Sequence, residues 1–312
     1  STTLLVASDV HGRIASLYAL AARWQRDFRQ PVAAILVSGD LGVWPDDHRL
    51  DSATRRALRT TPDELGFRAF EPLTACERGI ERSPDVQRHL EEARRALDEV
   101  FKSVRAPLYF VGGNHEDFTY LAACAARHPD GANPVPVERS GRVLWLRDGL
   151  RHTVATPDAA LSVAALGGIS AEECGRASSR YHPGACIDEE RAVELACDDG
   201  APCDVLLTHD SARDFVHEGY GASVVGDVVA ALGPTLHLSG HYHSERSPAE
   251  YPGEARTLGV HVNTLIPEKD GFLRPNSLGV ITLEAPGRVT FEFAPRAWLR
   301  RLRATAPPLL AP

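Results

Sequence analysis

Five times along this chain a short apolar run stops at a cluster of acidic, amide or imidazole side chains. The clusters are Asp9-Val-His11, Gly39-Asp40, Gly113-Asn114-His115-Glu116, His209-Asp210 and Gly240-His241-Tyr242-His243. The runs before them, such as Thr2–Ser8 and Val32–Ser38, have the near-continuous apolar character of strands buried on both faces. Helical periodicity lies between them. Leu17, Leu20, Ala21, Trp24 and Phe28 recur on one face, so Ile14–Arg29 reads as an amphipathic helix. Strand–helix alternation of this kind builds an open α/β sheet, whose ligands gather at the carboxyl ends of its strands. The five clusters therefore converge in space although they are spread over the chain.

Convergence without a cation would be costly, because buried ionisable groups need partners. Histidine with carboxylate suits borderline divalent metals such as Mn, Fe and Zn. The spacing thus points to a metal centre built from strand ends.

The other runs place further elements. Pro107–Val111, Asp204–Thr208 and Thr235–Ser239 read as strands, and Asp117–Arg127, Ile187–Cys197 and Ala222–Leu232 as helices. Val143–Leu146, His152–Ala155 and Leu161–Leu166 are expected in a second sheet, and two or three later strands, Leu258–Leu265, Ser277–Leu283 and Val289–Phe293, close the fold. Gly167–Cys186 lacks periodicity and reads as a surface loop. Residues 45–105 are rich in charge and contain no strand-like run, so they read as a helical insertion with looped parts. Within them Ser83-Pro84 is a helix start, followed by Val86, Leu90, Ala93, Leu97 and Val100 on one face. The insertion leaves after Asp40 and returns before Asn114, which anchors both its ends beside the site as a cap. One domain over 1–303 is expected, with a loose Pro-rich tail over 304–312.

Composition narrows the function. The 312 residues carry 34 basic against 42 acidic side chains, a formal charge of −8, so no general basic field attracts a long nucleic acid. No apolar run has the roughly 18 residues of a membrane span. Only Lys102 and Lys269 are lysines and methionine is absent, a bias expected of a GC-rich bacterial genome. Cys76, Cys124, Cys174, Cys186, Cys197 and Cys203 show no Cys-x-x-Cys spacing and read as free thiols. With an opening that lacks the pattern of a secretory leader, this suggests a cytoplasmic protein.

The ordered set Asp-x-His, Gly-Asp, Gly-Asn-His-Glu, His and Gly-His-x-His, from Asp9 to His243, resembles the calcineurin-like metallophosphoesterases. Phe110-Val-Gly-Gly-Asn114-His115-Glu116, Leu166-Gly-Gly-Ile169-Ser170 and Asp204-Val-Leu-Leu-Thr-His209-Asp210 are most similar to RNA lariat debranching enzymes. The chain departs from that branch in having Asp9 where a cysteine is common. It also lacks the arginine that follows Gly-Asp-x-x-Asp in many phosphatases of the superfamily, reading Leu41-Gly-Val-Trp44 instead.

The resemblance implies a four-layer α/β/β/α sandwich of two mixed sheets and two divalent metal ions. One metal would sit on Asp9, His11, Asp40 and His243, the other on Asp40, Asn114, His209 and His241, with Asp40 bridging. His115 corresponds to the family's non-ligand histidine, which contacts phosphate and protonates the leaving oxygen. Glu116 and Asp210 are expected to orient histidine ligands, as carboxylates behind metal-bound imidazoles do. Arg180, Tyr181, His182, Tyr242 and Arg213 are expected substrate contacts. The implied activity is phosphoester hydrolysis, with a small phosphorylated metabolite, nucleoside- or nucleotide-like and with a 2′-phosphate as one form, as the favoured substrate. RNA or nucleotide 2′–5′ or cyclic diesters are the alternative, and a non-catalytic metal-bound scaffold the reading from another class.

Overall fold

The computed structural model describes residues 1–70, 83–156, 159–176, 181–198, 200, 203–253, 256–285, 287–305 and 309–310. In chain order the first half comprises β1 (Thr2–Ala7), α1 (Ile14–Phe28), β2 (Val32–Val37), α2 (Ser52–Ala57), a 3-10 helix (Pro62–Phe70), α3 (Pro84–Val100), β3 (Leu108–Phe110), α4 (Phe118–Ala125), β4 (Val135–Pro136), β5 (Val143–Trp145), β6 (Arg151–Ala155) and β7 (Ala160–Leu166). The second half comprises α5 (Ala171–Arg176), α6 (Glu189–Ala196), β8 (Val205–Thr208), α7 (Ser223–Leu232), β9 (Leu236–Ser239), β10 (Ala249–Glu250), β11 (Leu258–His261), β12 (Gly279–Ala285), β13 (Arg288–Phe293), α8 (Arg296–Leu299), β14 (Ala304–Thr305) and β15 (Leu309–Leu310).

A seven-stranded sheet runs β13-β12-β1-β2-β3-β5-β4 and a six-stranded sheet runs β10-β11-β9-β8-β7-β6. Both are mixed: β1, β2, β3 and β5 are parallel, as are β7, β8, β9 and β11, while the outer strands run antiparallel. Side-chain alternation then generates layers. Leu5, Ala7, Ile35 and Val37 pack against α1, α3 and α4, whereas Leu4, Val6, Ala34 and Leu36 pack against Val163, Val205, Leu207 and Leu238 of the other sheet. On the far side Ala164, Leu166 and Leu206 meet Ala192, Leu195, Val225 and Val228 of α6 and α7. The result is the four-layer α/β/β/α sandwich implied by the resemblance. The central strands are covered on both faces, which is why their runs lack polar alternation.

Several expectations change. Val143–Leu146 was assigned to the second sheet, but β5 pairs with β3 in the first; an apolar run does not encode its partner. α3 is not set apart from the fold, because Ala93, Leu97 and Val100 share the core of α1. Ser83 occupies the N-cap of α3 with Pro84 in the first turn, though its hydroxyl makes no capping bond. Leu50, Leu58, Leu65, Val86 and Leu90 of 45–105 form a small separate core with Trp44, which precedes the segment. The segment read as a loop, 167–186, contains α5 and a disulfide between Cys174 and Cys186. That corrects the free-thiol reading for this pair; Cys124, Cys197 and Cys203 are free, and Cys76 lies outside the described residues. It also removes the thiol half of the cytoplasmic argument, since disulfides persist in oxidising compartments. Within the tail expected to be loose, β14 and β15 form a short antiparallel pair. Among the described residues no helix is long and apolar enough to cross a membrane.

Candidate metal centre

Parallel pairing brings the ends of β1, β2 and β3 to one edge, and the ends of β8 and β9 to the facing edge of the other sheet. Backbone bonds then lock the loops together. The Asp9 and His11 amides donate to the Gly39 and Asp40 carbonyls at 3.1 and 2.9 Å, and the Gly240 amide donates to the His209 carbonyl at 2.9 Å.

The backbone at this junction is strained. Eight non-glycine residues among those described have positive φ, and five are Asp9 (49°), His11 (46°), Asp40 (49°), His241 (76°) and His243 (48°). Such conformations cost about 1–3 kcal/mol each and persist only where the surroundings impose them, typically at functional sites. Two glycines make the close approach possible. A Cβ on Gly113 would collide with Asp40 Oδ1, and one on Gly39, whose φ is 85°, would collide with the His209 ring.

Each donor is held. Asp40 Oδ1 accepts the Asn114 and His115 amides, both at 2.8 Å, which turns Oδ2 towards His209 Nε2 at 3.4 Å and His11 Nε2 at 3.8 Å. Asp9 Oδ2 accepts from Ser8 Oγ at 2.6 Å and the His241 amide at 2.9 Å, leaving Oδ1 facing His243 Nε2 at 3.0 Å. His209 Nδ1 lies 2.7 Å from the Ser38 carbonyl, so it carries the hydrogen and Nε2 is the nitrogen turned towards Asn114 and Asp40. That Nε2 lies 3.0 Å from Asn114 Oδ1, and the Asn114 side chain also bonds the Tyr181 hydroxyl. His11 Nε2 is buried with no hydrogen-bond partner among the described residues.

Electrostatics match the geometry. Burial pushes Asp40 upward, but the charges of His209 and then His115 hold it well below the usual carboxylate range. Burial likewise opposes ionisation of Asp9, and its bond to His243 reverses the sign, so it too is lowered. Burial lowers His11 to about 4, which favours its neutral form. Burial works against the charged form of His209, but Asp40 raises it to about 10.

The donors Asp9, His11 and His243 lie within 4.8 Å of one another, as do Asp9, Asp40 and His209. The orphaned imidazole nitrogen of His11, two ionised buried carboxylates and the imidazoles of His209 and His243 beside them fit divalent cations.

The chain's residues 2–245 match the family model for calcineurin-like phosphoesterases. The chain belongs to the calcineurin-like phosphoesterase family. Membership implies metal-dependent hydrolysis of phosphoesters. No curated protein matches the chain. β12 and β13, which complete the first sheet, lie beyond the matched stretch.

The residues around the centre are sorted differently by the structure. His115 lies beside the centre, its ring 5.7 Å from that of His11. Its Nδ1 is 2.6 Å from Asp51 Oδ2, which leaves Nε2 as the ring nitrogen for chemistry. Although burial works against it, Asp40 and then Asp51 raise His115 to about 9. Asp51 went unread in the sequence because it also looks like, and is, a helix N-cap: its Oδ1 accepts the Thr54 amide at 2.7 Å. Glu64, from the 3-10 helix, places a carboxylate oxygen 3.9 Å from His11 Nδ1, and burial pushes it up to about 7. The insertion thus lies beside the centre and faces two of its histidines.

Glu116 and Asp210 were expected to orient histidines, and neither hydrogen-bonds to one among the described residues. Glu116 accepts the amides of Leu41, Gly42 and Val43 at 2.8, 3.1 and 2.8 Å, fixing the turn after Asp40. Asp210 accepts the Ser170 and Ser211 amides, both at 2.8 Å, and the Tyr242 hydroxyl at 2.7 Å. Unpaired amides in these turns are nearer acceptor-seeking groups than any imidazole, and buried amides require acceptors. Tyr242 is therefore tied down by Asp210. Arg213 pairs with Glu172 of α5 at 2.6 Å rather than presenting a free fork. Tyr181 lies 6.3 Å from His115, ring to ring, and His182 stacks on Phe118 at 5.6 Å. Arg180 lies outside the described residues. A cavity of about 260 Å³ opens beside His115, its walls including Trp44, Asp51, Asn114, Phe118, Tyr181 and His182.

Proposed function

We propose that the chain is a dinuclear phosphomonoesterase acting on a small phosphorylated metabolite whose leaving group carries a planar ring, as in a nucleoside phosphate. The observation that carries this reading is the cavity beside His115. At about 260 Å³ it lies just below the roughly 300–1,000 Å³ of pockets for drug-sized ligands, a size that suits one small group. Trp44, Phe118, Tyr181 and His182 give it rings that suit a flat group, among a charged lining of Arg49, Asp51, Glu116 and Asp117. The charge of −8 and the scarcity of lysine argue against a track for an RNA backbone. A 2′-phosphate is the form that the similarity to debranching enzymes favours.

Asp9, His11, Asp40 and His243 would hold one metal, and Asp40, Asn114, His209 and His241 the other. When bound, two divalent ions such as Mn, Fe or Zn supply a nucleophile at neutral pH and neutralise charge on the phosphoryl oxygens. The chain's own part is geometric and protonic. Asp40 is fixed by two amides, His209 by the Ser38 carbonyl and Asn114 by Tyr181. His115, held protonated by Asp51 and Asp40, donates its Nε2 proton to the leaving oxygen as the P–O bond breaks. The products are an alcohol and orthophosphate.

The test is a substrate panel with Mn, Fe, Zn or Mg added: aryl phosphate against bis-aryl phosphate, then 2′-, 3′- and 5′-nucleotides. Faster turnover of the bis-aryl diester than of every monoester would defeat the monoesterase reading.

A further inference from the structure

One metal-side histidine makes a contact that the family pattern does not explain. His241 Nε2 lies 3.1 and 3.2 Å from the two carboxylate oxygens of Glu173. The rest of His241 is fixed, with φ at 76°, its amide on Asp9 Oδ2 and its ring 5.0 Å from that of His209. Nε2 therefore donates to Glu173, and the lone pair resides on Nδ1, the nitrogen left for a metal.

Glu173 is on α5, six residues long and far below the roughly 12–15 at which a helix becomes marginal by itself. Its position must come from tethers. The next residue, Cys174, is bonded to Cys186 across 12 positions. Ile169 and Ile187 hold the base of this strap, with the Ile169 amide on the Ala185 carbonyl and the Ile187 amide on the Ile169 carbonyl, both at 2.9 Å. Glu172 reaches Arg213, and Ser170 reaches Asp210. The disulfide is the one covalent tether among these and lies directly beside Glu173.

We propose that Glu173 is a positioning residue that fixes the ring of His241 for the subsite of Asp40, Asn114, His209 and His241, and that the Cys174–Cys186 disulfide holds it there, so that reducing the strap loosens metal retention at that subsite. The inference rests on the two-metal reading above. The redox step is a thiol–disulfide exchange with an external dithiol. The S–S bond takes two electrons and two protons and gives two thiols, while the dithiol is oxidised to its own disulfide. Carboxylates behind ligand histidines typically change metal affinity about 10–100-fold.

The experiment uses the full chain loaded with Mn. Metal content and dissociation constants are measured against a competing chelator, oxidised and after dithiothreitol, for wild type, Glu173→Ala and Glu173→Gln. One metal should be held about 10–100-fold more weakly in Glu173→Ala, with partial recovery in Glu173→Gln, whose amide oxygen still accepts, and the other metal unchanged. Reduction should weaken the same metal several-fold in wild type and add nothing in Glu173→Ala. The metal-free melting midpoint should be the same for wild type and Glu173→Ala, as a merely structural role would not allow. Unchanged constants in Glu173→Ala overturn the inference, as does reduction that weakens wild type and Glu173→Ala equally. A wild-type chain that never holds two metals defeats the two-metal reading itself, and the inference falls with it.

Discussion

Asp51→Asn is the sharpest perturbation available, because one side chain performs two separable tasks. Oδ1 caps α2 and Oδ2 holds His115. Asparagine is as good an N-cap as aspartate, so the helix survives and only the anionic partner of His115 is lost. A charge-assisted hydrogen bond contributes about 1.5–3 kcal/mol. At about 1.4 kcal/mol per tenfold in rate, full expression in the transition state is a loss of roughly 10–150-fold in kcat. Asp40 still faces the imidazolium, which puts the expected loss in the lower half of that range. The ceiling is set by removing the acid itself: His115→Ala should cost on the order of 10²–10⁴. The assay is steady-state hydrolysis of an aryl phosphate and of a nucleotide by both single variants and the double variant, with metal content measured on each preparation. If Asp51 acts through His115, the double variant is no slower than His115→Ala. A double variant slower by the product of the two single losses refutes the coupling, and an Asp51→Asn enzyme with wild-type kcat refutes the role.

Asp40→Asn should fold, since its oxygen can still accept the Asn114 and His115 amides, yet lose bound metal and nearly all activity; elemental analysis and circular dichroism check the two halves. Gly113→Ala puts a methyl group against Asp40 Oδ1 and should cost about 1–3 kcal/mol in denaturant melts, with weaker metal binding. Glu116→Ala strips the acceptor from three buried amides in the turn after Asp40, and chemical denaturation should show a loss of about 1–3 kcal/mol. Chelation should abolish hydrolysis and resupply of Mn, Fe or Zn should restore it; activity that survives exhaustive chelation would contradict metal dependence.

The amino-acid sequence by itself determined the parts that depend on local order. A fully apolar run that ends in Asp9-Val-His11 or Gly-His-x-His must be a buried strand delivering polar side chains at its exit, and parallel strands deliver them to a common edge. The layering, the family and the gathering of Asp9, His11, Asp40, His209 and His243 at one edge were legible for that reason. Which carboxylate stands behind which histidine was decided by tertiary structure alone. Asp51 lies 64 positions from His115, and Glu173 lies 68 from His241. Along the chain both look like ordinary helix-start acids, because capping and orienting call for the same carboxylate. Glu116 and Asp210, which adjoin the ligands in sequence, were instead drawn to backbone amides, since a tight turn leaves donors that only a nearby acceptor can satisfy. The pairing of Cys174 with Cys186 follows the same logic: no spacing marks it, and the two meet only because the strap folds back on Ile169.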